Sequence, residues 1–414
     1  MFLHKVKPVH VILVAYTVWV LTLKFRTIGG SDDFNVFFNA GQRLLNGANI
    51  YGEPYYMNLR YFYSPLFAGF LSVFANFDVE YVKTLWFALN VLLLLRFIFI
   101  IKHFVKWNFK GHTLALLILM LITGKIVLTN FLTNQISIFM LWAILESFLL
   151  CKKGKWMWSV LILCIGINIK ILPIMVLPFY LLFTDHKLRF VTTSIAVSIA
   201  LLLIPALWTG WTYNLFLTSE WLTLVSPVNH LHIIQVYEGG FLDIGALLSK
   251  YLSGETVLNE PVLNIVSLDA MVIFFITNGL RISLLLLTIL VVRKVKSNPF
   301  SIDQSFVQLT PFIALIPLLL PHQRDYSFLF FVPLLAVLVA FLVNLNKIWH
   351  YIIFAFLCLL GGMFTWADIT GSDIVDVFMH YRLVTIGMLL MLLFYLTLLH
   401  YYARGYWTEF SEVN

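Results

Sequence analysis

The chain has 414 residues, of which 61% are hydrophobic and only 11% charged, with a formal net charge of +7. Its mean hydropathy is +0.92, whereas a soluble chain carries about 25% charged residues, so water is not the solvent for most of this surface and a soluble fold is excluded. At about 20 residues per bilayer crossing the apolar content fills around a dozen helices with modest loops, leaving no room for a separate soluble catalytic domain.

Apolar segments fall at 9–23, 61–77, 81–101, 113–129, 134–150, 156–168, 171–183, 190–208, 263–292, 306–320, 327–343, 349–366 and 383–402. None alternates with period two, which argues against an outer-membrane barrel. The predicted fold class is all-α, a polytopic transmembrane helical bundle of about 11–13 membrane segments, read as a single domain over 1–414. The first segment is flanked by Lys24 and Arg26 instead of a small-residue cleavage site, so it reads as a retained helix and not a signal peptide. Cys151, Cys164 and Cys358 have no metal-ligand or disulfide spacing and read as incidental.

Charge placement sets the orientation. The N-terminal lysines, the short links 102–110, 151–155, 185–189 and 293–296, Lys347 and the tail hold fifteen Lys/Arg against three acids. The connections 26–60, 209–261, 321–326 and 367–381 hold five against twelve. The positive-inside rule puts the first set and both termini in the cytoplasm and the second set outside, as for a multi-pass protein of a bacterial inner membrane. Two apolar segments, 61–77 and 81–101, then lie between an outside loop and an inside one, so one must turn back; 61–77, opening Tyr61-Phe62-Tyr63-Ser64-Pro65, is the candidate. Segment 156–183 must likewise return to the side it left, with a tip near Asn168 to Pro173.

The first exterior loop predicts a short amphipathic interfacial helix over Phe34 to Leu45, capped by Asp32 or Asp33 and ended by Gly47. Two readings of the acids stand: capping groups on a solvated loop, or a general base just outside the bilayer. Lys170, between two isoleucines, must snorkel, pair or line a wet cavity. At a hairpin tip its ammonium would meet a lipid phosphate. Asn134-Gln135 opens the next helix from outside, with capping sufficient for Asn134 and a sugar hydrogen bond open to Gln135. The turn Pro321-His322-Gln323-Arg324-Asp325-Tyr326 is either a solvated Arg324–Asp325 pair or an anion contact through Arg324 or His322 beside Tyr326. Arg281 needs a partner, for which Asp269 is the candidate. In 209–261, Trp208, Trp211 and Trp221 at its boundary and within it suit an interfacial belt or sugar stacking; His230 and His232 give only a weak metal signal. No zinc-protease, Walker, dinucleotide or nucleophile-elbow motif occurs.

At these residues the chain resembles glycosyltransferase family 87, the polyprenyl-phosphate-mannose-dependent transferases of the C-type membrane superfamily. The resemblance rests on Asp33-Phe34-Asn35-Val36-Phe37-Phe38, Leu44-Leu45-Asn46-Gly47, Tyr51, Tyr63-Ser64-Pro65-Leu66, Asn134-Gln135 and Lys170-Ile171-Leu172-Pro173, across about 25–185. Asn134 stands where the family has glycine and Ser64 where proline is common, and the C-terminal half matches loosely. The resemblance implies a C-type fold, a lipid-linked sugar donor and no nucleotide sugar, a glycolipid or glycan acceptor and usually no metal; membrane lipid is the expected surroundings, and no nucleic acid and no cofactor are expected. It implies Asp33, or Asp32, as catalytic base; Lys170, Arg324 and His322 are the candidate phosphate contacts, and Gln135, Asn134, Tyr63 and Tyr326 the candidate sugar or acceptor contacts. A transporter or flippase of lipid-linked sugars is the competing class, and a structural membrane subunit the third.

Overall fold

The computed structural model describes residues 22, 33–53, 55–56, 58–106, 112–184, 187–235, 240–255, 263–295, 302–365 and 370–403. Both termini, Asp32 and most of the expected 9–23 helix lie outside the described residues. Among those described there is no strand, only an isolated bridge between Tyr56 and Leu59. Six helices are long and apolar enough to cross a membrane, and four shorter apolar helices accompany them. The protein is an all-helical integral membrane protein. Its chain divides into two compact units, residues 1–100 with 128–229, and 101–127 with 230–414.

In the first unit α1 (Asp33–Leu45) and α2 (Pro65–Ser72) pack together, then α3 (Val79–Val105) starts; after α4 (His112–Leu132) come α5 (Ser137–Lys152) and α6 (Trp156–Ile169). The expected helix after Asp33 forms, and it ends as its sequence requires: Gly47 takes φ +68 while the amides of Asn46, Gly47 and Ala48 close on carbonyls of the last turn. It is more than an interfacial helix, because Phe34, Val36, Phe37, Phe38, Ala40, Gly41 and Leu44 are all buried. Gly41 permits the packing, since a Cβ there would lie 2.9 Å from the Leu71 carbonyl carbon and the Ser72 nitrogen. With eight residues, α2 spans about 12 Å, far short of a hydrocarbon core of about 30 Å. That accounts for the orientation conflict between 61–77 and 81–101.

After α6 the chain breaks at Lys170, runs through a 3-10 turn (Leu172–Val176) into α7 (Leu177–Phe183) and enters α8 (Lys187–Leu203). The two limbs are antiparallel. Near the tip, a Cβ on Gly166 would lie 3.3 Å from Pro173. At the base, the Tyr180 hydroxyl and Ser159 both bond Ser147, at 2.9 and 3.0 Å, and Tyr180 stacks on Phe190 at 4.2 Å. Residues 168–173 are therefore the tip of a hairpin. Beyond it lie α9 (Ala206–Thr209) and α10 (Trp211–Val225). Trp208 and Trp211 are exposed as a belt requires, but Trp221 is buried and donates to the Phe62 carbonyl at 3.3 Å.

The second unit is built on α11 (Ile244–Leu252), α12 (Ala270–Val292), α13 (Gln304–Ala314), α14 (Ile316–Leu319), a 3-10 stretch (Asp325–Phe331), α15 (Val332–Leu345), α16 (Ile348–Leu360), α17 (Ser372–His380) and α18 (Leu383–Ala403). In α13 and α15 almost every residue is buried, so these are its core helices. α12, by contrast, exposes Phe275, Ile282, Leu286 and Leu290, a face suited to lipid. At the contact of α16 with α18, glycines let backbones touch: a Cβ on Gly387 would sit 2.3 Å from the Gly361 nitrogen.

Candidate active site

Asp33 starts α1, and its Oδ2 accepts a hydrogen bond from Gln135 Nε2. Gln135 is 1% exposed and its amide is fixed by the Asn130 carbonyl at 2.9 Å. Capping does not account for Asn134, because α5 is preceded by Ile136 with no side-chain cap. Asn134 instead adopts φ +48, a conformation asparagine tolerates, and its carbonyl accepts the Trp86 indole N–H at 3.1 Å. Trp86 also touches the Phe34 ring, 5.8 Å between centroids, so α3 holds the start of α1 and the start of α5 together.

Lys170 joins this neighbourhood through aromatic rings. Its ammonium lies 5.0 Å from the centre of the Tyr63 ring, a cation–π distance. Tyr63 packs edge-on against Phe37 at 4.6 Å, and Phe37 is one helical turn from Asp33 on the same face of α1. The Ser64 amide donates to the Ile169 carbonyl at 3.2 Å, so the loop carrying Tyr63 is bonded to the hairpin tip. The Tyr51 hydroxyl donates to the Tyr63 carbonyl at 2.8 Å; burial, then the neighbouring Tyr61, keeps that phenol well above its usual range and neutral. Asp33, Gln135, Asn134, Tyr63 and Lys170 thus belong to one end of one unit.

Sequence reasoning missed a cation here. Lys83 is 1% exposed and pairs with Glu80 at 3.0 Å, one turn from Trp86 on the same face of α3. It lay hidden in a segment whose average hydropathy is high. Arg96 and Glu146, a two-point pair at 2.7 Å between α3 and α5, escaped for the same reason, as did Lys125, which donates to Thr365 Oγ1 at 2.8 Å in the second unit.

The second unit carries Arg324, His322 and Tyr326. His322 takes φ +58, its Nε2 lies 2.8 Å from His232 Nδ1, and its amide donates to Gln235 Oε1 at 3.0 Å. The Arg324 guanidinium sits 5.6 Å over the Phe241 ring, while Tyr326 is buried with its amide on Asp325 Oδ1. Gln235 continues to Asp243 Oδ1 at 3.1 Å, which also receives Arg281 at 3.2 Å. Asp269 is therefore not the partner of Arg281; it caps α12 through the Met271 amide at 2.8 Å. Burial pushes the Asp243 carboxyl above its ordinary range, against the pull of Arg281, two backbone amides and Gln235. Among the described residues no three His, Cys, Asp or Glu side chains gather as a metal site, and His232 is engaged with His322.

The N-terminal unit of this helical membrane protein thus brings a carboxylate, a carboxamide and a lysine to one end. The sequence matches the profile of glycosyltransferase family 87 over residues 61–298, more than half of the chain, and the protein belongs to that family. Among solved structures it is similar to ArnT from Cupriavidus metallidurans bound to undecaprenyl phosphate, at 13% identity and a TM-score of 0.39, over 95% of this chain and 77% of that one. No protein with a curated description matches it.

Proposed function

We propose that this glycosyltransferase moves a hexose, mannose in the first instance, from a polyprenyl-phosphate donor to a hydroxyl of a glycolipid or glycan on the outer face of a bacterial inner membrane. The observation that carries the reading is the shared neighbourhood of Asp33 and Lys170, a base and a phosphate-binding cation at the same end of one unit. A donor whose hydrocarbon tail stays in the bilayer needs its site at the interface, which suits a chain built almost wholly of membrane helices.

In the step, the acceptor oxygen forms a bond to the anomeric carbon as the bond from that carbon to the phosphate oxygen breaks. The acceptor proton passes to Asp33, with Asp32 as the alternative base, and the electron pair leaves with polyprenyl phosphate. That leaving group is already anionic, so it needs cations more than a proton donor, and Lys170 meets its oxygens. Tyr63 holds the Lys170 ammonium, and Gln135 Oε1 and Asn134 face the sugar. Arg324 and His322, as anion contacts, and Tyr326, as a hydroxyl or ring contact, are proposals for the second unit by itself. With Asp33 acting alone as the base, the step is a direct displacement with inversion.

Purified protein in nanodiscs, given polyprenyl-phosphate-mannose and then other lipid-linked sugars, should release polyprenyl phosphate. Asp33→Asn should cut release to a small residual rate and leave donor binding nearly intact. Full turnover by Asp33→Asn alongside a dead Asp32→Asn would move the base to Asp32, and indifference to both would end the catalytic reading.

A further inference from the structure

An aspartate at a helix start has a loosely defined terminal torsion: rotation about the bond to the carboxyl group is broad and two-fold, so its oxygens readily exchange places. In this protein one oxygen is held. Gln135 Nε2 donates to Oδ2 of Asp33 across 102 residues of sequence. The donor is itself immobile, because its residue is 1% exposed, its backbone N–H is bonded to the Asn130 carbonyl at 2.9 Å, and the preceding carbonyl is pinned by Trp86 at 3.1 Å.

The chemistry fixes which way the amide points. An ionised carboxylate only accepts hydrogen bonds, so the amide must present its NH2 to Asp33 and turn its carbonyl away. Gln135 Oε1 is accordingly buried with no hydrogen-bond partner among the described residues, an expensive arrangement unless the orientation is wanted for another purpose. On Asp33, Oδ2 alone takes a hydrogen bond among the described residues. We infer that Gln135 is the positioning residue of the base: by occupying Oδ2 it aims Oδ1 at the acceptor hydroxyl. This rests on Asp33 being the proton acceptor, and it gives Gln135 a task separate from any contact with sugar.

The test compares Gln135→Met, which keeps the chain length and loses the donor, with Asp33→Asn and the double variant, all as full-length protein in nanodiscs. Release of polyprenyl phosphate from polyprenyl-phosphate-mannose is followed, with long single-turnover incubations for the slow variants. Losing a hydrogen bond to a charged group should lower kcat by about 10- to 100-fold, whatever the loss of a sugar contact adds to the donor KM. On the Asp33→Asn background the same substitution should change the residual rate by less than about two-fold, since a positioning residue has nothing left to position. Equal losses on both backgrounds, or a change confined to KM, would overturn the assignment. Gln135→Asn, too short to reach Oδ2, should behave as Gln135→Met does, and wild-type kcat in it would also refute the role.

Thermal unfolding of wild type, Gln135→Met, Asp33→Ala and their double variant reads the contact without activity, because alanine, unlike asparagine, keeps no acceptor for the Gln135 NH2. Coupled shifts support the bond between Gln135 and Asp33, and additive shifts overturn it. Should the wild type turn over no lipid-linked sugar, the base reading fails and the positioning role falls with it, while coupled unfolding would show that the contact itself had not been the error.

Discussion

Replacing Gly41 by alanine tests whether the close approach of α1 to α2 sets the position of Asp33. The new Cβ would start 2.9 Å from both Leu71 C and Ser72 N. Non-bonded carbon atoms prefer about 3.5–4.0 Å, so α1 must retreat by about 0.6–1.1 Å. Both obstructing atoms are backbone, so no side-chain rotation relieves the clash. Overpacking of this kind costs about 1–3 kcal/mol, and subtracting a helix-propensity gain of about 1 kcal/mol leaves a net loss of about 0–2 kcal/mol. The functional cost should be larger in proportion: Asp33 rides on the same rigid helix, and a displacement of about 1 Å at a catalytic group can lower a rate by about 100-fold. Gly279→Ala in α12 is the control, because nothing lies within 4 Å of its Cβ position; it should leave activity unchanged and raise stability slightly. Unfolding in detergent and release of polyprenyl phosphate measure both effects. Gly41→Ala with wild-type melting and wild-type turnover would refute the argument.

Lys170→Met should weaken donor binding by about 10-fold or more, as loss of a charge-assisted contact requires, and unchanged affinity in a binding titration would return this lysine to a structural role. Glu146→Gln should destabilise by about 1–3 kcal/mol by uncoupling Arg96, while Arg96→Met with Glu146→Leu should recover most of that loss, as read by melting. Asp243 has a raised folded-state value, so the native protein binds the extra proton between the ordinary carboxylate range and that higher value. Its contribution to stability is therefore greatest at low pH and is lost as pH rises through the folded value. The melting advantage of wild type over Asp243→Asn should shrink as pH rises, and a growing advantage would contradict the assignment of burial as the dominant cause.

Hydropathy and punctuation made much of the architecture legible. Gly47 announced the end of α1, and the run from Asn168 to Pro173 announced a turn because neither limb is long enough to cross. What stayed hidden was of two kinds. Lys83, Arg96, Lys125 and Glu146 are single charges inside apolar stretches, where averaging over a helix length erases them. Partnerships such as Gln135 with Asp33, or Arg281 with Asp243, join residues 102 and 38 positions apart. A one-dimensional reading sees nearby candidates, which is why Asp269 looked suitable for Arg281. The belt expectation failed at Trp221 for a related reason, since only the packing reveals that the Phe62 carbonyl lies within its reach.

The tie between Ser64 and Ile169 is made entirely of main-chain atoms, and so is the closing bond from the Lys170 amide to Gly166. Neither depends on what position 170 carries as its side chain. The hairpin tip therefore works like a socket whose fitting can be changed: any residue but proline can stand at position 170 while the bend keeps its shape. A change in ligand preference there need not be entangled with misfolding.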